Sequence, residues 1–484
     1  MTSSLSHRSS SPSPSSSSPN NHVTPTPPMP SSSSSPSASS SSIRLVLLFV
    51  FIDILGFSIT LPLLPYFSVD RFGASPATTG WVMASNALAQ LVGAPFLGRL
   101  SDRVGRRPVF LLCIFGTLLS FLLLTWARTL TEVVLSRVLD GLLGGNISLA
   151  QAYIADRTKT SEERAKGLGL VGAAFGIGFI VGPALGGTLA GWGYAAPCLA
   201  ASFLALVNFI GAYLFLEESL PSKQQSTTES KQKKDSTTTQ QPSFKDLIVS
   251  PLAPLNLLRK MFFHSEQLRL LLILRFCHSF VFTLYETTSS HFNMTRFELT
   301  ARQSSYLLCY VGLLYSLLQG GAMGKLLRRF GGERPLLLSS LFVLTLSLVA
   351  YALVRDFSLL LLVLVPFSLS TACLQTLINS CITRTVEASS SIGQRNMGGA
   401  LGISAAIGSL TRVLAPVAGG YLLHYLPESS IGFFSSTITL LGFLLALFGL
   451  SSLPWSSPLR PATTIEEVEA KRKEKAEDLS TKNE

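Results

Sequence analysis

Between residues 44 and 453 long apolar runs alternate with short polar breaks. Twelve of the runs come close to or exceed the roughly 20 residues a helix needs to cross a hydrocarbon core. They fall at 44–67, 79–98, 108–127, 131–153, 167–190, 195–216, 268–292, 304–323, 335–354, 357–382, 398–424 and 430–453. Lipid offers an exposed backbone no hydrogen-bond partner, so each run is predicted to be a helix, and each is too long for a barrel strand. The pattern predicts an all-α membrane protein with twelve transmembrane helices.

Polar stretches punctuate these spans. Residues 1–42 are dominated by Ser and Pro and hold no acid, so they cannot bury a core and are expected to be a disordered tail. Their Ser-rich composition faintly matches an organelle transit peptide, although Arg8 and Arg44 are the basic side chains on offer. The first apolar run is too long for a secretory leader and contains Asp53, so it reads as a retained helix. Residues 217–267 divide the spans six and six. Residues 217–244 read as a linker rich in Lys, Gln, Ser and Thr, and the more apolar 244–263 suits a helix lying in the interface. The chain thus divides into two halves, 43–216 and 268–453, with a charged tail at 454–484.

The net charge of +11 does not point to nucleic acid, because the basic residues sit in short loops on one side. The loops after spans 2, 4, 8 and 10 hold fourteen Lys and Arg, whereas the opposite loops hold five: Arg71, Arg128, Arg296, Arg302 and Arg355. The richer side is expected to be cytoplasmic, together with both termini and the linker. All six cysteines fall inside spans without paired spacing, which suggests small apolar core residues and neither disulfides nor a metal site. No phosphate-binding glycine loop ending in Lys-Ser/Thr occurs, so an ATP-driven pump is unsupported, and no constellation indicates an enzyme or a cofactor.

The halves resemble one another. Gly98-Arg-Leu-Ser-Asp-Arg-Val-Gly105 follows span 2, and Gly324-Lys-Leu-Leu-Arg-Arg-Phe-Gly331 follows span 8, with 324 lying 226 residues after 98. Gly182-Pro-Ala-Leu-Gly-Gly187 in span 5 matches Ala415-Pro-Val-Ala-Gly-Gly420 in span 11, with 415 lying 233 after 182. Duplication of a six-helix unit is the plan of a transporter that rocks about a central site.

The run from Gly98 through Asp102, Arg103, Gly105, Arg106 and Arg107 to Pro108 resembles the helix 2–3 loop signature of the major facilitator superfamily. The resemblance implies a cytoplasmic latch; the alternative is that the charges only fix topology. Asp156 and Arg164, with Arg157 and Glu163, are expected partners for Arg103 or Arg106. In the second copy Arg328 replaces the acid and Glu333 is inserted, so a weaker latch is expected there. Arg137, Asp140 and Gly141 resemble the family's helix-4 pattern, and a spacing of three puts Arg137 and Asp140 on one face, either as a buried ion pair or as part of the pathway. Gly169, Gly178, Gly182, Pro183, Gly186 and Gly187 resemble the helix-5 signature of the drug:proton antiporter branch. That resemblance implies exchange rather than uptake.

Span 1, from Phe51 to Pro65, resembles helix 1 of the multidrug and tetracycline exporters. Asp53 lies ~14 Å into the span at 1.5 Å per residue. Low dielectric disfavours a bare carboxylate, which suits such a position to proton exchange unless an arginine neutralises it. Glu286 is the second isolated acid, with His278 two turns away. Arg412 lies deep in span 11, where it is either a partner for an acidic substrate group or a counter-ion to Asp53 or Glu286; Arg275 is shallow enough to snorkel. Asp53, Glu286 and Asp140 are therefore proton-coupling candidates, and Arg412, Arg137 and His278 substrate-binding candidates. Ser250–Arg259, Leu284–Thr287 and Gln319-Gly320 further resemble a eukaryotic tetracycline-transporter-like subfamily. The expected function is proton-coupled export of small amphipathic solutes, organic anions among them, by a functional monomer in the plasma membrane or an endomembrane such as the vacuole. A uniporter or symporter, and a membrane scaffold or sensor that does not transport, are the alternatives.

Overall fold

The computed structural model describes residues 38–158, 160–219, 266–318, 323–388 and 397–449. The Ser/Pro tail up to 37, most of the linker with its expected interface helix, Gln319-Gly320 and the charged tail lie outside the described residues.

The described residues form fifteen helices and no strand. Span 1 is two helices, α1 (Ala38–Thr60) and α2 (Leu64–Phe72), interrupted at Pro62. It runs past the expected residue 67 and ends where Gly73 takes the left-handed conformation, φ 60°, that stops a helix. Span 2 is α3 (Pro76–Val104), started by Ser75 accepting from the Thr78 N–H, and span 3 is α4 (Arg106–Trp126). Span 4 departs from the single helix expected at 131–153. It consists of α5 (Leu130–Leu143), opened by a Thr129–Glu132 capping box, and α6 (Asn146–Arg157), parted at Gly144 and Gly145. A glycine pair gives up the most helix stability at that point, so the break has a local cause. Spans 5 and 6 are α7 (Ser161–Ala190) and α8 (Ala195–Phe215).

The second set begins with α9 (Glu266–Phe297) and α10 (Ala301–Leu317), followed by the short α11 (Met323–Arg329). It continues with α12 (Glu333–Leu353), α13 (Phe357–Ala388), α14 (Met397–Tyr425) and α15 (Ser430–Gly449). Among the described residues, ten spans are long and apolar enough to cross a membrane. The two other expected crossings are present as helices: α3 is 29 residues long but less apolar, and α10 has 17 residues before the stretch 319–322 outside the described residues.

Each set has its own core. Val50, Ile54, Ile114, Leu149 and Ile154 belong to one buried cluster, and Leu271, Leu344, Phe367, Leu374 and Ile378 to another. A smaller cluster of Leu63, Tyr66 and Ala301 joins the sets. It lies at the end opposite the basic loops. Across the two sets, α3 packs against α14 and α7 against α10.

Candidate functional site

At the basic end, the turn between α3 and α4 depends on Gly105, whose φ of 118° suits only glycine. The turn delivers Arg106 to two acids: Nη1 lies 2.6 Å from Asp102 and Nε 2.9 Å from Asp156. Glu218 completes the cluster by accepting from the backbone N–H groups of Arg106 (2.8 Å) and Arg107 (3.1 Å), a carboxylate at the start of α4 where the helix dipole favours one. Arg157 donates to the Glu218 carbonyl at 2.6 Å, so the first residues after span 6 are tied to the turn. Arg107 donates to the Tyr213 carbonyl (2.8 Å), whereas Arg164 is exposed and makes no ion pair among the described residues.

The second set has a counterpart of reversed polarity. Gly331 and Gly332 both have positive φ, 73° and 136°, and end the turn before α12. Glu333 then occupies the first turn of α12, where α4 has Arg106, and pairs with Arg384 at 3.0 Å and Ser380 at 3.2 Å. Arg384 stands near the basic end of span 10 as Asp156 does in span 4. The acid read as an insertion is thus the buried partner in the second half's own ion pair.

The glycines of span 5 have distinct neighbours. A Cβ on Gly178 would press on Ile54, on Gly182 on Ser58, and on Gly186 on the Ile59 carbonyl, so this stripe seats α7 on α1. Ser58 bonds back across the seam to the Gly178 carbonyl at 2.9 Å. Gly187 instead meets Arg302 and Ser305 of the other half, while Gly169 meets nothing within 4 Å. Gly182→Ala is expected to cost about 1–3 kcal/mol through overpacking against Ser58. The check is thermal unfolding of the purified variant; an unchanged midpoint would show that α1 yields freely.

Hydrogen bonds between the halves cluster at the end opposite the basic loops. Tyr66 on α2 reaches the Leu299 carbonyl (3.0 Å) and Ser304 (2.5 Å), Ser290 donates to the Pro62 carbonyl (3.2 Å), and Thr188 meets Tyr306 (3.0 Å). Gly80 and Gly420 let α3 and α14 touch backbone to backbone near Pro416 and Pro76. Toward the basic end, Gly98, Gly172 and Gly402 have no such neighbour within 4 Å. Among the described residues, the hydrogen bonds between the halves therefore gather at one end.

Charged groups lie between these ends. Asp53 is half-buried and accepts from the Asn146 amide at 2.8 Å. Asn146 opens α6, so the break in span 4 brings it there. Arg137 and Asp140 share a face as their spacing requires, 3.8 Å apart; Asn86 donates to Asp140 (2.8 Å), and Arg137 reaches Ser120 and Ser136 (3.3 Å each). Arg137 is 3% exposed, so its contacts are internal to its own half. His278 is likewise buried, with Nε2 3.2 Å from the Thr371 carbonyl.

Glu286 and Arg412 are differently placed. Glu286 is half-buried one turn from Ser290, which touches the other half. Arg412 is exposed, although it lies one turn before Pro416, which also meets the other half. The two are within electrostatic range yet form no ion pair with each other or with Asp53 among the described residues. Arg275 does not snorkel: it is buried and donates to Gln375 on α13.

Sequence reasoning passed over Asn146, Glu218, Ser58, Glu333 and Gln375 as partners. The Gly144-Gly145 pair was the one local signal for the first of them. Asn293, which heads an Asn-Met-Thr acceptor triplet, is buried because α9 continues to Phe297.

The fold has known counterparts. The sequence profile of the Major Facilitator Superfamily matches residues 46–406. The chain is 29% identical to tetracycline resistance protein, class B, of Escherichia coli over 289 residues, covering 59% of this chain and 67% of that protein. It is 27% identical to major facilitator superfamily domain-containing protein 10 of Homo sapiens over 408 residues, covering 76% and 84% respectively. The crystal structure of the human organic anion transporter MFSD10 shares its fold, with a TM-score of 0.60, 23% identity, and coverage of 85% of this chain and 100% of that one. With the profile covering most of the chain, the protein belongs to the Major Facilitator Superfamily of membrane transporters.

Proposed function

We propose that the protein exports small amphipathic organic solutes, anionic ones among them, in exchange for protons, by alternating which end of its two halves is open. One observation supports the reading: the hydrogen bonds between the halves gather at the end opposite the basic loops, and Asp53, Glu286 and Arg412, well inside their spans, have no ion-pair partners among the described residues. Intramembrane charges are costly and mark substrate and ion routes. Asp53 and Glu286 carry protons, and Arg412 offers a charge to an acidic substrate group. Asp140, held by Arg137 and Asn86, relays between Asp53 and the pairs of its own half. The Arg106 cluster governs the basic end, which faces the cytoplasm together with both termini. The rigid units are residues 43–216 and 268–453, joined by the linker, and one copy suffices. The membrane is the plasma membrane or an endomembrane such as the vacuole.

Tetracycline-like compounds and organic anions are the first solutes to try, following the names of the relatives. The test is counterflow of labelled tetracycline and of an aryl carboxylate into proteoliposomes preloaded with the same compound. A transporter produces transient uptake above empty liposomes. A scaffold produces none, and that result would overturn the reading.

A further inference from the structure

Arg275 and Arg412 approach each other through the packing of α9 against α14. Ser279, one turn along α9 from Arg275, bonds Thr411, the residue before Arg412, at 2.8 Å. Gly408, one turn before Arg412 on α14, borders the Arg275 guanidinium: a Cβ there would lie 3.8 Å from Nη2. Because residue 408 has no side chain, nothing from that position crowds the Arg275 guanidinium. Arg275 is nine-tenths buried, and its Nε has no hydrogen-bond partner. Gln375 holds its Nη1. Arg412, one turn further along, is exposed.

Arg275 is a buried guanidinium with no acid on it among the described residues, and the neighbouring Arg412 has no ion pair there either; a buried charge is ordinarily paired, so the arrangement is unfinished. Glu286 is the one carboxylate noted within electrostatic range of Arg412, and it leaves an excess of positive charge. We propose that Arg275 and Arg412 form an anion subsite for the carboxylate or sulfonate of an amphipathic solute, with Gln375 positioning Arg275. The planar guanidinium fork matches such an oxyanion in two contacts, which a lysine could not supply. The inference rests on the transport reading above and adds to it the chemical group recognised.

The test uses the full-length protein in nanodiscs, with a fluorescent naphthalene carboxylate and its methyl ester as probes. Arg275→Gln and Arg412→Gln should each weaken binding of the acid roughly 10-fold or more and change binding of the ester less than about twofold. The double variant should lose less than the product of the two, because both arms hold one oxyanion. Gln375→Leu, which keeps both cations, should weaken the acid roughly threefold or more with the ester unaffected. Ester binding also reports that each variant is folded. Acid binding unchanged in Arg275→Gln, or acid and ester lost alike in both Arg275→Gln and Gln375→Leu, would overturn the subsite. Counterflow of the ester is read separately. If wild type exchanges the ester while the acid is insensitive to both arginines, transport stands and the subsite falls. If the acid alone depends on them and wild type exchanges neither compound, the subsite stands and transport falls.

Discussion

Asp53→Asn is expected to leave solute exchange running while abolishing its response to a pH gradient. The asparagine has the same shape, and its Oδ1 can still accept from the Asn146 amide now 2.8 Å away, so the packing of α1 on α6 should persist. What disappears is a group that can take up and release a proton. An imposed gradient of one pH unit is worth about 1.4 kcal/mol per proton and supports up to about tenfold solute accumulation for each proton exchanged. The variant should therefore equilibrate solute without accumulating it. If Asp53→Asn still accumulates solute as wild type does, Glu286 becomes the coupling group, and Glu286→Gln is the next variant to measure. Accumulation that survives in both would remove protons from the account.

Arg106→Gln should have the second large effect. Its side chain is surrounded by Asp102 and Asp156, and its backbone N–H is held by Glu218. Removing the cation leaves Asp102 and Asp156 without their shared partner. Asp102 is 59% exposed and adds little by itself, so the loss comes mainly from the more buried bond to Asp156. The expected cost is about 2–3 kcal/mol of stability. Turnover should fall further than stability does, because the cluster sits at the end that must open and close. Thermal unfolding together with counterflow at equal protein level measures both. A variant with wild-type turnover would show that these charges only orient the chain.

Much of the fold was legible because its signals are local. Apolar run length identified the spans, and the glycines repeated at 98 and 324 suggested a duplicated unit. The spacing of Arg137 and Asp140 is enough to put them on one face, where they lie 3.8 Å apart. The partners were harder to read, since they depend on which helices touch. Asn146 reaches Asp53 across 93 positions of sequence, and Glu218 reaches Arg106 across 112. Glu333 looked like an insertion because the motif comparison asked for the same charge at the same place. The second half keeps the bridge and reverses its polarity, which a search by residue type cannot find. His278 and Arg137 drew attention as polar groups in apolar spans, and the structure gives both of them neighbours within their own half. Arg275 was dismissed as shallow, although Gln375 and Gly408 are what give it a place.

Proton-coupled exchange is tested most directly by following protons and solute together in proteoliposomes of the purified protein, with a pH dye trapped inside and labelled solute added outside. The account predicts that inward solute movement drives protons out, that the two fluxes keep a fixed ratio as the gradient is varied, and that Asp53→Asn loses the proton flux alone. Solute moving with no proton flux, or with protons travelling in the same direction, would contradict it.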